Sequence, residues 1–324
     1  MDTRWVVTTG ENPPVTGGGC GADLAEPGYR RLLRTGELRR RVDVAWRRLA
    51  DCDLCPRDCH VDRRRTNRGA VCRTGARAVV ASFHPHFGEE ACLVGRRGSG
   101  TIFFAWCNLR CQYCQNADLA HRGVGRVVEP ADLAAMMLHL QDEGCHNINL
   151  VTPSHVVPQI LAAVAIAAGR GLDRPLVYNT GGYDAVETLR LLDGVVDIYM
   201  PDMKYADAAV GREASRVRDY PAVNQAAVLE MYRQVGDLVL DATGVAQRGL
   251  LVRHLVLPNG LAGTAAVVRF LAETVSPRTA VNVMDQYHPC FAAWRVPGLD
   301  RRPTAMELAA ARRLVAAAGL RRVG

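Results

Sequence analysis

The sequence has no apolar run long enough to cross a bilayer. Its longest, such as Leu161 to Ala168, falls far short of the ~20 residues a spanning helix needs. It also opens without the apolar core of a secretory leader, with Asp2 and Arg4 near the first residue. These absences predict a cytoplasmic protein with no membrane partner. Aromatic residues make up only 6% of the chain, and no stacking aromatic is interleaved with the densest basic clusters, Arg30-Arg31, Arg39-Arg40-Arg41 and Arg63-Arg64-Arg65. The net charge of +7 therefore reads as solvated surface rather than a nucleic-acid groove, with attraction to an acidic substrate or partner left open. There is no internal repeat, and no low-complexity tract beyond Ala-rich helices.

What is present is a 324-residue chain, 48% hydrophobic, long enough to bury one large core with smaller attached segments. It carries eleven cysteines, seven of them in two tight groups with metal-ligand spacing, a pattern that favours thiolate ligation over disulfides. The other four, Cys20, Cys92, Cys145 and Cys290, read as small buried hydrophobes. Residues 1 to about 28, rich in Gly, Pro and Thr, are expected to be loosely ordered, and a helix is expected from about Tyr29 to Ala50.

From Gly98 onward short apolar runs alternate with helical patterns, the signature of parallel βα units. The expected strands are Thr101–Trp106, Asn147–Val151, Pro175–Tyr178, Val195–Met200, Leu250–Leu257 and Ala280–Met284. Pro130 suits a first helical turn, Ser154 and Asp184 suit N-caps, Pro221 opens another helix, and Thr304 with Glu307 forms a capping box. Six such units predict an α/β fold, a partial (β/α)6 barrel behind an N-terminal Cys-rich metal-binding segment. The divisions are an extension and helix over 1–50, the Cys-rich segment over 51–97, the barrel over 98–292 and a C-terminal helical segment over 293–324. In such architectures chemistry sits at the carboxyl ends of the strands.

Directly after the first expected strand come Cys107, Cys111 and Cys114, three thiolates in one loop. Three ligands on a four-iron cluster leave one iron open to a substrate or cofactor, whereas four would saturate it. The CxxxCxxC spacing, with Tyr113 before the last cysteine, resembles the radical S-adenosylmethionine (SAM) superfamily. That resemblance implies a 4Fe-4S cluster, SAM as cofactor, and Tyr113 near the adenine. Where the superfamily commonly has Gly-Gly-Glu after its second strand, this chain has Val151-Thr152-Pro153-Ser154-His155, so that contact falls to the hydroxyls of Thr152 and Ser154 or to the backbone carbonyls, with a capped helix start as the alternative.

Further along the rim stand Tyr178-Asn179-Thr180-Gly181-Gly182-Tyr183, Met200-Pro201-Asp202-Met203-Lys204-Tyr205 and Arg253-His254-Leu255-Val256-Leu257-Pro258. These resemble elements of the glycyl-radical-enzyme activases, such as pyruvate formate-lyase activating enzyme. The resemblance implies that Asn179, Thr180, Asp202, Lys204 and Arg253 bind cofactor. It also implies a monovalent cation on residues corresponding to Asn179, Thr180, Met200 and Asp202, with Asn179 replacing an aspartate. Lys204 offers a point charge suited to the SAM carboxylate and Arg253 a planar donor fork. His254 should pack on the other side of the strand. Asp285, Tyr287 and His288, after the sixth strand, are candidate proton or hydrogen-bond groups, with a plain turn before Pro289 as the alternative.

Upstream, Cys52, Cys55, Cys59 and Cys72 supply four thiolates, enough to close a metal site in a segment with little core of its own. A structural zinc and a second iron-sulfur cluster both fit, with the Cys-x2-Cys-x3-Cys run inclining the reading to iron and sulfur. With His84-Pro85-His86-Phe87-Gly88-Glu89-Glu90 added, residues 50 to 320 resemble a radical SAM family labelled as pyruvate formate-lyase activating enzyme-like. The resemblance implies reductive SAM cleavage with an external donor such as flavodoxin or ferredoxin. Three readings diverge at the substrate: an activase acting on a protein, an enzyme acting on a small molecule, and a non-catalytic iron-sulfur carrier.

Overall fold

The computed structural model describes residues 26–323; the expectation for the first 25 residues, Cys20 included, lies outside them. In chain order the regular elements are α1 (Gly28–Arg34), α2 (Glu37–Arg47), β1 (Ala78–His86), α3 (Ala91–Val94), β2 (Ser99–Phe104), α4 (Ala117–Ala120), β3 (Arg126–Val128), α5 (Pro130–Asp142), β4 (Ile148–Val151), α6 (Val157–Gly169), β5 (Leu176–Thr180), α7 (Val186–Arg190), β6 (Ile198–Pro201), α8 (Ala208–Ser215), α9 (Tyr220–Val235), β7 (Val239–Leu240), β8 (Ala246–Leu255), α10 (Thr264–Phe270), β9 (Ala280–Met284), α11 (Ala305–Ala317) and β10 (Arg321–Arg322). No described helix is long and apolar enough to cross a membrane.

The sheet runs β10-β9-β8-β6-β5-β4-β2-β1-β3, with β7 paired to β8 off this path. The six strands β2, β4, β5, β6, β8 and β9 pair in parallel and form the partial barrel. Their alternation sorts side chains as a pleat requires. Ile102, Phe104, Ile148 and Leu150 turn outward to the helices, where they meet Leu133, Met137, Ile160 and Val164. Val177, Ile198, Met200, Leu251 and Ala280 turn inward and close over Leu93. Leu93 comes from the stretch after β1, which runs antiparallel to β2 and extends the sheet into the region assigned from sequence to the Cys-rich segment.

Three local readings change. The single helix expected from Tyr29 breaks into α1 and α2 at Gly36, whose φ of 78° lies in the left-handed region. Ser154 and Asp184 are not caps: α6 and α7 start after Val156 and Ala185. Their side chains are taken by tertiary bonds instead, Ser154 Oγ to Thr180 Oγ1 at 2.9 Å and Asp184 accepting from Thr180 Oγ1 at 2.6 Å and Tyr178 at 2.9 Å. Pro130 and the Thr304/Glu307 capping box stand as expected.

Candidate active site

β2 delivers the chain to the rim, and Trp106, at φ 66°, turns it into the three-cysteine loop. The loop is fastened to the end of α8 by Gln112 N to Ala214 O at 2.7 Å and Arg110 N to Ser215 O at 3.2 Å. Ser215 Oγ lies 2.9 Å from Cys111 Sγ, and Leu109 N donates to Cys107 Sγ at 3.3 Å. Burial, reinforced by the neighbouring thiols, pushes Cys114 up to about 12 and Cys107 further in the same direction. Thiolates here need compensating positive charge, and a metal cluster brings it. The donor set therefore fits an iron-sulfur cluster on Cys107, Cys111 and Cys114. Among the described residues no three Cys, His, Asp or Glu side chains are drawn together tightly enough to hold one ion.

Facing this loop is a run of paired charges. Lys204 Nζ donates to Asp202 Oδ2 at 2.6 Å; Arg253 donates Nε to Asp202 Oδ1 at 3.1 Å, Nη1 to Glu89 Oε2 at 3.4 Å and Nη2 to Asn179 Oδ1 at 2.6 Å. All five side chains are largely buried, and the Lys204 ammonium is close enough to Cys107, Cys111 and Cys114 to interact with each. Burial opposes ionisation of Asp202, but the Lys204 and Arg253 charges outweigh it and hold its pKa below the ordinary carboxylate value. Glu89 shows the opposite balance: burial raises its pKa despite Arg253. The guanidinium also occupies the Asn179 oxygen that a monovalent cation would take.

The remaining candidates do not converge. Thr180 spends its hydroxyl on Ser154 and Asp184, away from the charged run. Thr152 holds φ 61°, a strained conformation for a β-branched residue, at the end of β4. Tyr113 sits in a buried tyrosine group, its hydroxyl 2.5 Å from that of Tyr205 and its ring edge-on to Tyr287. Tyr287 is fully buried and donates to Leu299 O at 2.7 Å, Asp285 is exposed and paired with Arg312 at 2.9 Å, and His288 lies on the loop beside Gln115. The structure thus gives these three no common target. His254 packs as expected, bonded to Met203 O and Thr264 Oγ1. Of the cysteines expected to be small buried hydrophobes, Cys145 is buried, whereas Cys92 and Cys290 are only partly so, Cys92 packing beside the Leu93 cluster and Cys290 donating to Tyr113 O at 3.2 Å.

In the upstream module Cys52, Cys55 and Cys72 are buried and Cys59 is partly so. Burial first, then the other thiols, pushes Cys55 up to about 12. Arg63, 2% exposed, threads the segment: it donates to Thr74 O at 2.7 Å, His155 O at 2.8 Å, Gly75 O at 3.3 Å and Cys52 Sγ at 3.5 Å. A cationic side chain is tolerated at such depth because every contact is an acceptor.

Ser215 escaped the sequence reading, since it belongs to no motif and acts across the fold; Tyr205, which closes the Met200–Tyr205 element, was given no role there, and its OH lies 2.8 Å from Ser215 Oγ. Asn149 escaped likewise, although an amide on an inward-facing strand position was a signal that could have found it.

Residues 101–242 match a family model described as the radical SAM superfamily. An uncharacterized protein of Methanocaldococcus jannaschii is 30% identical over 276 residues, which cover 83% of this chain and 75% of that protein. Among solved structures, a radical SAM methyltransferase from Sphaerobacter thermophilus aligns at 14% identity and a TM-score of 0.47 over 68% of this chain and 64% of that one. SuiB of Streptococcus suis, in a structure bound to S-adenosylmethionine, aligns at 13% identity and a TM-score of 0.46 over 67% of this chain and 47% of that one. The chain spans less than two thirds of the length of either solved structure.

Proposed function

We propose, from the radical SAM superfamily domain that residues 101–242 match, that this chain cleaves SAM reductively and directs the resulting radical at a bound substrate. A 4Fe-4S cluster on Cys107, Cys111 and Cys114 would bind the amino and carboxylate groups of SAM at its open iron and supply the electron that breaks the sulfur–C5' bond. The observation that carries the reading is the buried Asp202–Lys204–Arg253 set facing that loop, a cationic pair pre-oriented by one carboxylate. Lys204 neutralises the SAM carboxylate as a point charge, while Arg253 offers its fork to the ribose or carboxylate region. Asp202 keeps both cations aimed, so little reorganisation is needed when SAM enters. Tyr113 borders the adenine side and the Thr152 backbone the amino side. The reductant in this reading is a flavodoxin or ferredoxin.

Resemblance to the activases supports a glycyl residue of a protein as the hydrogen donor. A second substrate class is favoured by one observation. Glu90 Oε2 is buried with no hydrogen-bond partner, and the buried Asn149 amide, on the inward-facing row of β4, has the Glu89 carboxylate as its one neighbouring acceptor. Unpaired polar atoms at that depth suit a small polar molecule held inside the barrel.

The test is anaerobic reconstitution with iron and sulfide, reduction by dithionite with SAM, and chromatography for 5'-deoxyadenosine, beside Cys111→Ala. Cluster-dependent product that the variant lacks upholds the reading. An intact cluster that yields no product with or without cell extract overturns it in favour of an electron carrier.

A further inference from the structure

The two cysteine groups meet through one stacked pair of side chains. Cys72 ends the four-cysteine module, and the guanidinium of the next residue, Arg73, lies 5.3 Å from the centroid of the Trp106 ring. Trp106 immediately precedes Cys107. Both residues hold positive φ, 50° for Arg73 and 66° for Trp106, which costs an L-residue roughly 1–2 kcal/mol and persists only where the surroundings impose it. The indole has no slack on its other side. Gly123, at φ 70°, approaches so closely that a Cβ there would overlap the ring.

A second contact runs beside the first. Arg57, between Cys55 and Cys59, donates Nε to Asn108 O at 2.7 Å, one residue past Cys107, and Nη1 to Arg216 O at 2.7 Å. A metal needed only to fold the module would be served by ligands and by staples such as Arg63. It would not require strain on both sides of a stacked contact between residues adjoining one ligand from each group.

We infer that the four-cysteine module carries a redox-active iron-sulfur cluster that feeds electrons to the three-cysteine cluster through the Cys72-Arg73 and Trp106-Cys107 contact. An external one-electron donor, an iron-sulfur or flavin protein, reduces the module cluster by one electron. That cluster is reoxidised as the electron passes on, and the three-cysteine cluster is reduced by the same one. No bond forms or breaks and no proton moves in the transfer; the electron is consumed only when SAM is cleaved. The inference rests on the radical SAM reading of Cys107, Cys111 and Cys114.

The full chain is reconstituted anaerobically and assayed for iron, sulfide and zinc, then fully reduced and examined by pulsed electron paramagnetic resonance for spin–spin interaction. Reduction of the three-cysteine cluster by a small ferredoxin is followed in stopped flow for wild type, Trp106→Leu, Arg73→Gln and Trp106→Phe. The expected result is two magnetically coupled clusters. Transfer should slow by an order of magnitude in Trp106→Leu and largely recover in Trp106→Phe, while dithionite-driven 5'-deoxyadenosine formation persists in all four. Zinc in the module, two clusters without magnetic interaction, or transfer indifferent to Trp106 would each overturn the inference. If Trp106→Leu does not fold, metal content and spin coupling of the wild type still decide. Product formed with zinc in the module sinks the relay alone; no product from two coupled clusters sinks the SAM reading alone.

Discussion

Ser215 Oγ stands 2.9 Å from Cys111 Sγ, at the head of a hydrogen-bonded chain that continues through Tyr205 to Tyr113. Donors to a ligating sulfur stabilise the more negative, reduced state of a cluster. Ser215→Ala is expected to lower the reduction potential by roughly 40 mV, the one-electron equivalent of about 1 kcal/mol for one lost hydrogen bond. Iron content should stay unchanged. A redox titration monitored by electron paramagnetic resonance reads the shift; an unchanged potential would remove Ser215 from the site.

Asp202 is the only carboxylate that touches both Lys204 and Arg253 among the described residues. Asp202→Asn leaves two largely buried cations short of a partner, at a cost of about 3–5 kcal/mol by the usual scale of broken buried pairs. Denaturant unfolding measures that loss, and equilibrium dialysis should show weaker SAM binding. Because the folded pKa of Asp202 is depressed, its stabilisation is present above the unfolded carboxylate value and is lost as pH falls through the folded one. Wild type and variant should therefore converge in stability on acidification.

Asp197 runs the other way. Burial lifts its pKa to about 7 even though it accepts from Leu176 N at 2.9 Å, so the folded protein holds a proton that the unfolded chain has released. Between about pH 4 and 7 that makes stability fall as pH rises. Asp197→Asn should flatten this slope, gaining on wild type by as much as a few kcal/mol near neutrality. Unfolding free energies across this pH window test it, and parallel curves would count against it.

Arg63 ties the module to the loop after β4 through His155 O. Arg63→Met keeps the stem but strands two buried carbonyls, Thr74 O and His155 O, each worth about 1–3 kcal/mol, while Gly75 O keeps Gln159 Nε2. The module should lose its metal and become open to limited proteolysis near residue 60, while the three-cysteine loop retains its iron. A protease-resistant, fully loaded variant would contradict this.

The barrel was legible because each of its strands is a short apolar run bounded by turn residues, and the rim followed from the rule that places chemistry at strand carboxyl ends. Asp202, Lys204, Arg253 and Asn179 lie on that rim, and their cofactor role was read from the resemblance to the activases. β1 was not legible: Ala78–His86 mixes small, aromatic and imidazole side chains, with one face partly exposed, so no clean period marks it. Ser154 and Asp184 looked like caps because local patterns favour that role, and only the fold supplied Thr180 and Tyr178 as competing partners. Ser215, 104 residues from Cys111, belongs to the same class of information, which arises from packing and has no local trace.

The strand order carries a last consequence. From β2 through β4, β5, β6, β8 and β9 to β10, each of these strands is laid beside the preceding member of the series, so a chain emerging from the ribosome can extend the barrel from one growing edge, while β3 adds to β1 at the other. No barrel strand waits for a distant partner, which keeps loop-closure costs small at each addition. The cysteine module is synthesised ahead of all of them, but β1 gains its partner only when β2 appears. Seating of the module against the three-cysteine loop is thereby tied to the first step of sheet growth rather than to completion of the barrel.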